Sequence, residues 1–336
     1  MRMWEIKLDY VFSAEANQAL TRRLLEIRTN PYKDYAGFQA DVLRVMAETG
    51  AIPEDFRNLC CAKKCANPFD DPYVLLKNCP VDPELPMLDL DNPVVDKRNR
   101  KTTYVAEAFL VLYAELTGQQ PIGYINVNDG DVFQDIHPMR SMMATQSQKA
   151  AKSIYFHKDL ANHFVRPDWV NILGLRASAQ NEIHTSFVRN RDLLAYLDAR
   201  VLKGLREERF HTPYDDLTLA SSNKKLGPAP NHPILGGATG HDIRFFEKRT
   251  VGIDAESQEL VDEVVRALHR LKKRLLILKG DFVGSANNEC IHSKEVGRIS
   301  DEGAVLNRWL MKTVNVRSLD VHKVHMLPAE DRIVNG

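Results

Sequence analysis

The sequence predicts an α+β protein built around a β core. Helix-period apolar spacing is concentrated before Gly118 and recurs once late in the sequence. Elsewhere, short β-type runs are separated by Gly, Asn, Asp and Pro. Helices first, then many short strands with a single late helix, is the pattern of a segregated α+β architecture. The protein has 336 residues, 44% of them apolar and 27% charged. That is ordinary for a globular protein and long enough to bury a core without disulfide or metal staples.

The elements follow in order. Ala14–Arg28 sets Ala16, Leu20, Leu24 and Ile27 on one helical face. Ser13 is the N-cap and Asn30-Pro31 the stop. A second helix over Ala36–Glu48 ends at Gly50. Val74–Cys79 reads as a strand, Pro80–Asn92 as a Pro-rich connection, and 103–116 as a strongly apolar helix. Strands are expected at Gly123–Val127, Ser153–His157, Trp169–Leu175 and His184–Val188. Ser221–Gly240, rich in Gly, Pro and Asn, reads as a flap. Ser257–Lys273 is an amphipathic helix, and strands near Arg274–Leu278, Asp281–Ala286 and Trp309–Val316 close the pattern. We expect a single domain over residues 1–336. Residues 1–118 are expected to be mainly helical and to pack on a β core over 119–320 that carries the flap at 221–240.

Composition removes several function classes. Lys plus Arg number 45 and Asp plus Glu 45, a balance that argues against a nucleic-acid partner. No apolar run approaches the roughly 18 residues of a membrane span. The charged start Met1–Lys7 has no apolar h-region, so a signal peptide is not expected. Five cysteines, an odd count, predict reduced thiols in a cytoplasmic protein. Cys60, Cys61, Cys65 and Cys79 are spaced unlike any paired zinc signature. Homo-oligomerisation stays open.

The chemistry-bearing feature is Phe156-His157-Lys158-Asp159. His and Asp at i and i+2 on a strand share a face. A distant His completes a two-histidine, one-carboxylate set able to hold Fe(II) with open positions for a cosubstrate and O2. By itself His-x-Asp is an ordinary surface pattern. The distal half strengthens it. Leu276–Val283 reads as strand, turn and strand, and leads to Asn287-Asn288-Glu289-Cys290-Ile291-His292. Arg308, sixteen residues after His292, opens another strand. A guanidinium there suits bidentate capture of a carboxylate better than a lysine would.

With these blocks in order, the sequence resembles the clavaminate-synthase-like branch of the Fe(II)/2-oxoglutarate oxygenases. The likeness runs from about Asn78 to the C-terminus. It rests on Asn78–Pro86, Gln134-Asp135-Ile136-His137-Pro138, Gln146-Ser147, His157–Trp169, Leu173–Arg176, Gly280–His292 and Asn307–Leu310. The first seventy or so residues match nothing nameable. The resemblance implies a double-stranded β-helix (jelly-roll, cupin-like) core with flanking helices. It also implies Fe(II) on His157, Asp159 and His292. 2-Oxoglutarate would be anchored by Arg308, with Thr185 assisting. The substrate class it implies is a free amino acid or an amino-acid-derived small molecule. O2 and 2-oxoglutarate would be consumed as an unactivated carbon of the substrate's side chain is hydroxylated.

Departures from the family pattern shape the substrate expectation. The metal carboxylate, often Glu in this branch, is Asp159. Lys312 stands where arginine hydroxylases bind the substrate carboxylate with Arg. Phe245-Phe246-Glu247-Lys248 replaces their paired aspartates, leaving Glu247 as the partner for a cationic substrate group. The loop before the metal strand reads Asn126-Val127-Asn128-Asp129-Gly130, with Asn128 as a substrate-binding candidate. Gln134 and Gln146 either face the substrate or satisfy backbone groups. Lysine or another basic amino acid is the first expectation. Rival readings keep the iron site for desaturation or cyclisation, or retain a cupin-like binding protein without turnover. Cys290, two residues before His292, shares its face if that segment is a strand. His137, His163, His184 and His211 read as structural. Gly236–Gly240 lacks the flanking residues of a phosphate loop and reads as a lid segment.

Overall fold

The computed structural model describes residues 6–48, 50–214, 228–328 and 330–335. Helices α1 (Ala14–Leu24), α2 (Tyr35–Ala47), α3 (Glu54–Cys65), α4 (Pro93–Arg100) and α5 (Val105–Thr117) come first. The Ser13 hydroxyl caps α1 by accepting the Ala16 N–H at 3.1 Å. Gly118, at φ +69°, closes α5 with a left-handed cap. Helix α3 is absent from the sequence expectation, although its signals are plain. Pro53 precedes it, Glu54 and Asp55 open it, and Lys63 and Lys64 end it. It explains the cysteine cluster: Cys60 is a buried core residue, while Cys61 and Cys65 are exposed on its other side.

The main strands are β1 (Tyr73–Lys77), β2 (Gln120–Tyr124), β3 (Gln134–Ile136), β4 (Ile154–His157), β5 (Trp169–Arg176) and β6 (Ile183–Arg189). After them come the short helices α6 (Asn190–Tyr196) and α7 (Ala199–Gly204), which periodicity does not announce. The long helix α8 (Ala255–Leu271) follows, then β7 (Lys273–Leu276), β8 (Phe282–Ala286), β9 (Cys290–Val296), helix α9 (Glu302–Leu306), β10 (Trp309–Val316) and β11 (Glu330–Val334). Among the described residues, nine strands form one sheet, in which Tyr10–Val11, β1, β8, β5, β10, β2, β11 and Met326–Leu327 lie side by side and β3 pairs β10. A second sheet has the order β7, β6, β9, β4. Strand β2 lies three residues before its expected position, because its register is set by β10, with Ile122 opposite Val314. Asn126–Gly130 then turns, with Asn128 at φ +49° and Asp129 at φ +55°.

The two sheets share one apolar layer that includes Ile122, Tyr124, Ile172, Phe187, Val283 and Leu310. Helices α1, α2, α3 and α5 cover the outer face of the larger sheet, packing Leu20, Phe38, Phe56 and Phe109 in one cluster with Leu173, Phe282 and Trp309. Helix α8 covers the smaller sheet from outside, burying Leu260, Val261, Val264, Ala267 and Leu268 together with Phe156 and Ile291. Alternation in β4 and β9 therefore sends Phe156 and Ile291 outward and their neighbours inward. At Gly174 a Cβ would come within 1.8 Å of the Leu278 oxygen, so only glycine lets the turn before β8 approach β5. That turn passes through Gly280 at φ +77°. Of the expected flap 221–240, residues 221–227 lie outside the described residues. The rest includes Leu235–Gly236, paired antiparallel with Asp242–Ile243.

Candidate metal centre

Strand pairing creates the centre. His292 on β9 is the direct cross-strand partner of His157 on β4. Their rings lie 4.5 Å apart, centroid to centroid. Strand β4 ends at His157, so Asp159 sits in the following turn and not on a strand. This corrects the strand argument for the His-x-Asp pair. The carboxylate nevertheless arrives at the histidines: Asp159 Oδ1 is 3.3 Å from His157 Nε2 and 3.5 Å from His292 Nε2. One ligating atom from each of the three lies within 4.8 Å of the others. Among the described residues, no other group of three or more His, Cys, Asp and Glu could hold a metal.

The turn is held by a residue to which the sequence assigns no role. The fully buried Asn287 accepts the Asp159 N–H through Oδ1 at 3.1 Å. Its Nδ2 donates to the Asp159 and Pro167 carbonyls at 3.0 and 2.9 Å. Lys158 points the other way, buried against Asp242 and the Asn288 carbonyl. On the metal side, the His157 Nδ1 contacts the Tyr155 carbonyl at 2.8 Å. That bond makes Nδ1 the donor and leaves the Nε2 lone pair free to ligate. The Phe246 ring stacks on His157 at 5.1 Å. Burial works to raise the Asp159 carboxyl, but the surrounding groups, the Lys312 charge foremost, outweigh it and hold the group well below the usual carboxylate range. Burial, reinforced by His157, pushes the His292 imidazole down and keeps it neutral. An ionised carboxylate beside a neutral imidazole, with converging lone pairs, fits a divalent cation.

The remaining predicted residues separate into two groups. Lys312 on β10 donates to Asp159 Oδ2 at 3.1 Å. Gln134 on β3 is its direct cross-strand partner and is buried. Thr185 on β6 is the direct cross-strand partner of Lys294 on β9 and is buried. Arg308 is 7% exposed, and no carboxylate lies within ion-pair reach of it among the described residues. Burial pushes its guanidinium down to about 10.

Three others are engaged elsewhere. Glu247 lies on the α8 side of the sheet, where it accepts the Phe156 N–H at 3.2 Å and meets His269 Nε2 at 3.0 Å. It follows the inward-facing Phe246 and so points outward, which corrects its expected role as a substrate partner. Gln146 pins the edge strand β4, donating to the Ser153 carbonyl at 3.2 Å and accepting the Tyr155 N–H at 3.0 Å. Asn128 donates to Asp135 Oδ2 at 3.2 Å. Asp135 also accepts from Trp309 and pairs with Lys97, so this contact belongs to the helical side of the larger sheet. Cys290 is a buried core thiol that donates to the Ala286 carbonyl at 3.2 Å, and burial pushes it up to about 12.

No family model matches the sequence. Clavaminate synthase 2 of Streptomyces clavuligerus is 25% identical over 242 residues, 72% of this chain and 73% of that protein. L-lysine 3-hydroxylase of Catenulispora acidiphila is 27% identical over 254 residues, 73% of this chain and 67% of that protein. Among solved structures, an asparagine oxygenase in complex with Fe(II), 2S,3S-3-hydroxyasparagine and succinate superposes with a TM-score of 0.80 at 19% identity, covering 98% of this chain and 100% of that one. The lysine 3-hydroxylase and the asparagine oxygenase are named for different amino acids.

Proposed function

From the premise that the protein is a clavaminate-synthase-like oxygenase, we propose that it is an Fe(II)- and 2-oxoglutarate-dependent hydroxylase of a free L-amino acid. The two facing sheets are then a double-stranded β-helix with the metal at one mouth. The observation that carries the reading is the convergence of one atom each from His157, Asp159 and His292 within 4.8 Å.

Each residue has a role under this reading. His157, Asp159 and His292 hold the iron. Iron, with 2-oxoglutarate and O2, supplies the oxidising chemistry that replaces a substrate C–H bond by C–OH. Arg308 grips the distal carboxylate of 2-oxoglutarate, and the Thr185 hydroxyl assists. Lys312 and Gln134 face the same mouth and receive the substrate's α-carboxylate. Lys312 also bonds Asp159 Oδ2, so Oδ1, which lies near both histidine Nε2 atoms, would be the oxygen offered to a metal. Phe246 walls the site beside His157 and keeps water from one side.

Glu247 no longer motivates a basic substrate, because it is bound to His269 and the β4 backbone. Lysine remains the first compound to test because of the lysine 3-hydroxylase likeness. The test is a screen of the twenty amino acids with ornithine and citrulline, scored by succinate release and product mass. A gain of one oxygen supports hydroxylation, and a loss of two hydrogens would replace it with desaturation or cyclisation. Succinate release unaffected by any of them would overturn the amino-acid reading.

A further inference from the structure

Lys294 lies on β9 of the smaller sheet, and the buried Arg308 immediately precedes β10 of the larger one. Lys294 lies two residues beyond His292 on β9, so both side chains leave the strand on the same face. Its direct partner on β6 is Thr185. Lys294 Nζ donates to the Ala150 carbonyl at 2.5 Å, which uses one of its three N–H donors. Neither Lys294 nor Arg308 has a carboxylate within ion-pair reach among the described residues, and the Thr185 hydroxyl has no hydrogen-bond partner there. A sheltered cation with no acidic partner destabilises the fold unless something anionic joins it. The step from His292 to Lys294 is about 7 Å along the strand, which suits a five-carbon diacid whose 2-oxo acid end is at the metal.

We propose that Lys294 is a second cation of the cosubstrate site, gripping the distal carboxylate of 2-oxoglutarate together with Arg308. This rests on the oxygenase reading above and adds a residue to it. Arg308 presents a planar fork, Lys294 a point charge from the facing sheet, and Thr185 a hydroxyl between. The carboxylate is thereby held from both sheets at once. The consequence is selectivity for a diacid: Lys294 contributes to binding only when the ligand carries a distal carboxylate.

The experiment compares 2-oxoglutarate with 2-oxopentanoate, which has the same carbon skeleton without that carboxylate. Calorimetric titrations of the full-length, Mn(II)-loaded protein avoid turnover. For K294M we expect 2-oxoglutarate affinity to fall about 10–100-fold, as for loss of a hydrogen bond to a charged group. Affinity for 2-oxopentanoate should stay within about twofold, and K294R should recover most of the loss. Equal loss for both ligands, or no loss for 2-oxoglutarate, overturns the assignment. Should K294M fail to fold, K294Q takes its place with the same expectations. Wild-type protein that binds Mn(II) but not 2-oxoglutarate would instead overturn the reading on which this rests.

Discussion

The molecule treats buried cations in two different ways. On the helical side of the larger sheet, Lys97 and Lys101 have acids beside them. Lys101 donates to Asp82 at 2.9 Å and to Glu107 at 2.6 Å, and all three are buried. Asp82 also accepts the N–H groups of Val105 and Ala106 at the start of α5. Glu107 and Asp82 hold Lys101 above its usual range despite burial, so it is charged. Lys97 likewise lies 2.7 Å from Asp135. Between the sheets, Arg308 and Lys294 have no such partner among the described residues. The first arrangement is complete within the protein and serves the fold. The second lacks a negative charge, and a ligand is the natural source of it.

The largest effect expected is at the metal. Asp159→Asn or His292→Ala should lower turnover by about three orders of magnitude or more, roughly 4 kcal/mol. Either should also abolish Mn(II) binding seen by calorimetry. Retained metal binding in His292→Ala would remove that residue from the centre.

Next, breaking a complete network should be costly. Lys101→Met leaves Asp82 and Glu107 buried without their cation, and should lower unfolding stability by about 3–5 kcal/mol in a denaturant titration. The opposite is expected between the sheets. Arg308→Met removes a cation that has no internal partner, so ligand-free stability should change by no more than about 1 kcal/mol or rise. The same variant should lose 2-oxoglutarate binding. If Arg308→Met destabilised the protein as much as Lys101→Met, the contrast between the two regions would fail.

Glu247→Gln sharpens the comparison from the other side. The amide can still accept the Phe156 N–H, so turnover should stay within about twofold for any accepted amino acid. A selective rise in KM for a basic substrate would restore Glu247 to the pocket. The smallest effect is at His232, a buried imidazole bonded to Thr212 and Pro233. Burial lowers it from 6.5 to about 4. Between those values the unfolded protein binds a proton that the folded protein does not, so this stability is fully present above pH 6.5 and is lost as pH falls toward 4. His232→Asn should flatten the stability curve in that window alone.

The fold is legible in the sequence wherever local pattern and long-range pairing agree. The helix over Ala255–Leu271 and the strand Trp309–Val316 follow directly from periodicity. The convergence of His157, Asp159 and His292 is expected from spacing plus resemblance, although Asp159 reaches the others from a turn clamped by Asn287 and not from a strand. That clamp spans 128 residues of sequence and leaves no local signal. Glu247 is misplaced by its motif position, which says nothing about which face of a short segment turns inward. The isolated bridge between His157 and Phe246 decides it, sending Phe246 onto the His157 ring and Glu247 to α8. Helix α3 has readable caps and end charges, but its cysteines draw attention to metal binding instead. Lys294 is one more basic residue in the sequence; only the pairing of β9 with β6 sets it opposite Thr185.

The most direct test is 2-oxoglutarate turnover with Fe(II) under air, with and without each amino acid. Succinate release that requires Fe(II), rises with one amino acid and matches the hydroxylated product mole for mole is the expected result. A protein that binds neither 2-oxoglutarate nor Fe(II), or releases no succinate with any amino acid, would contradict the account.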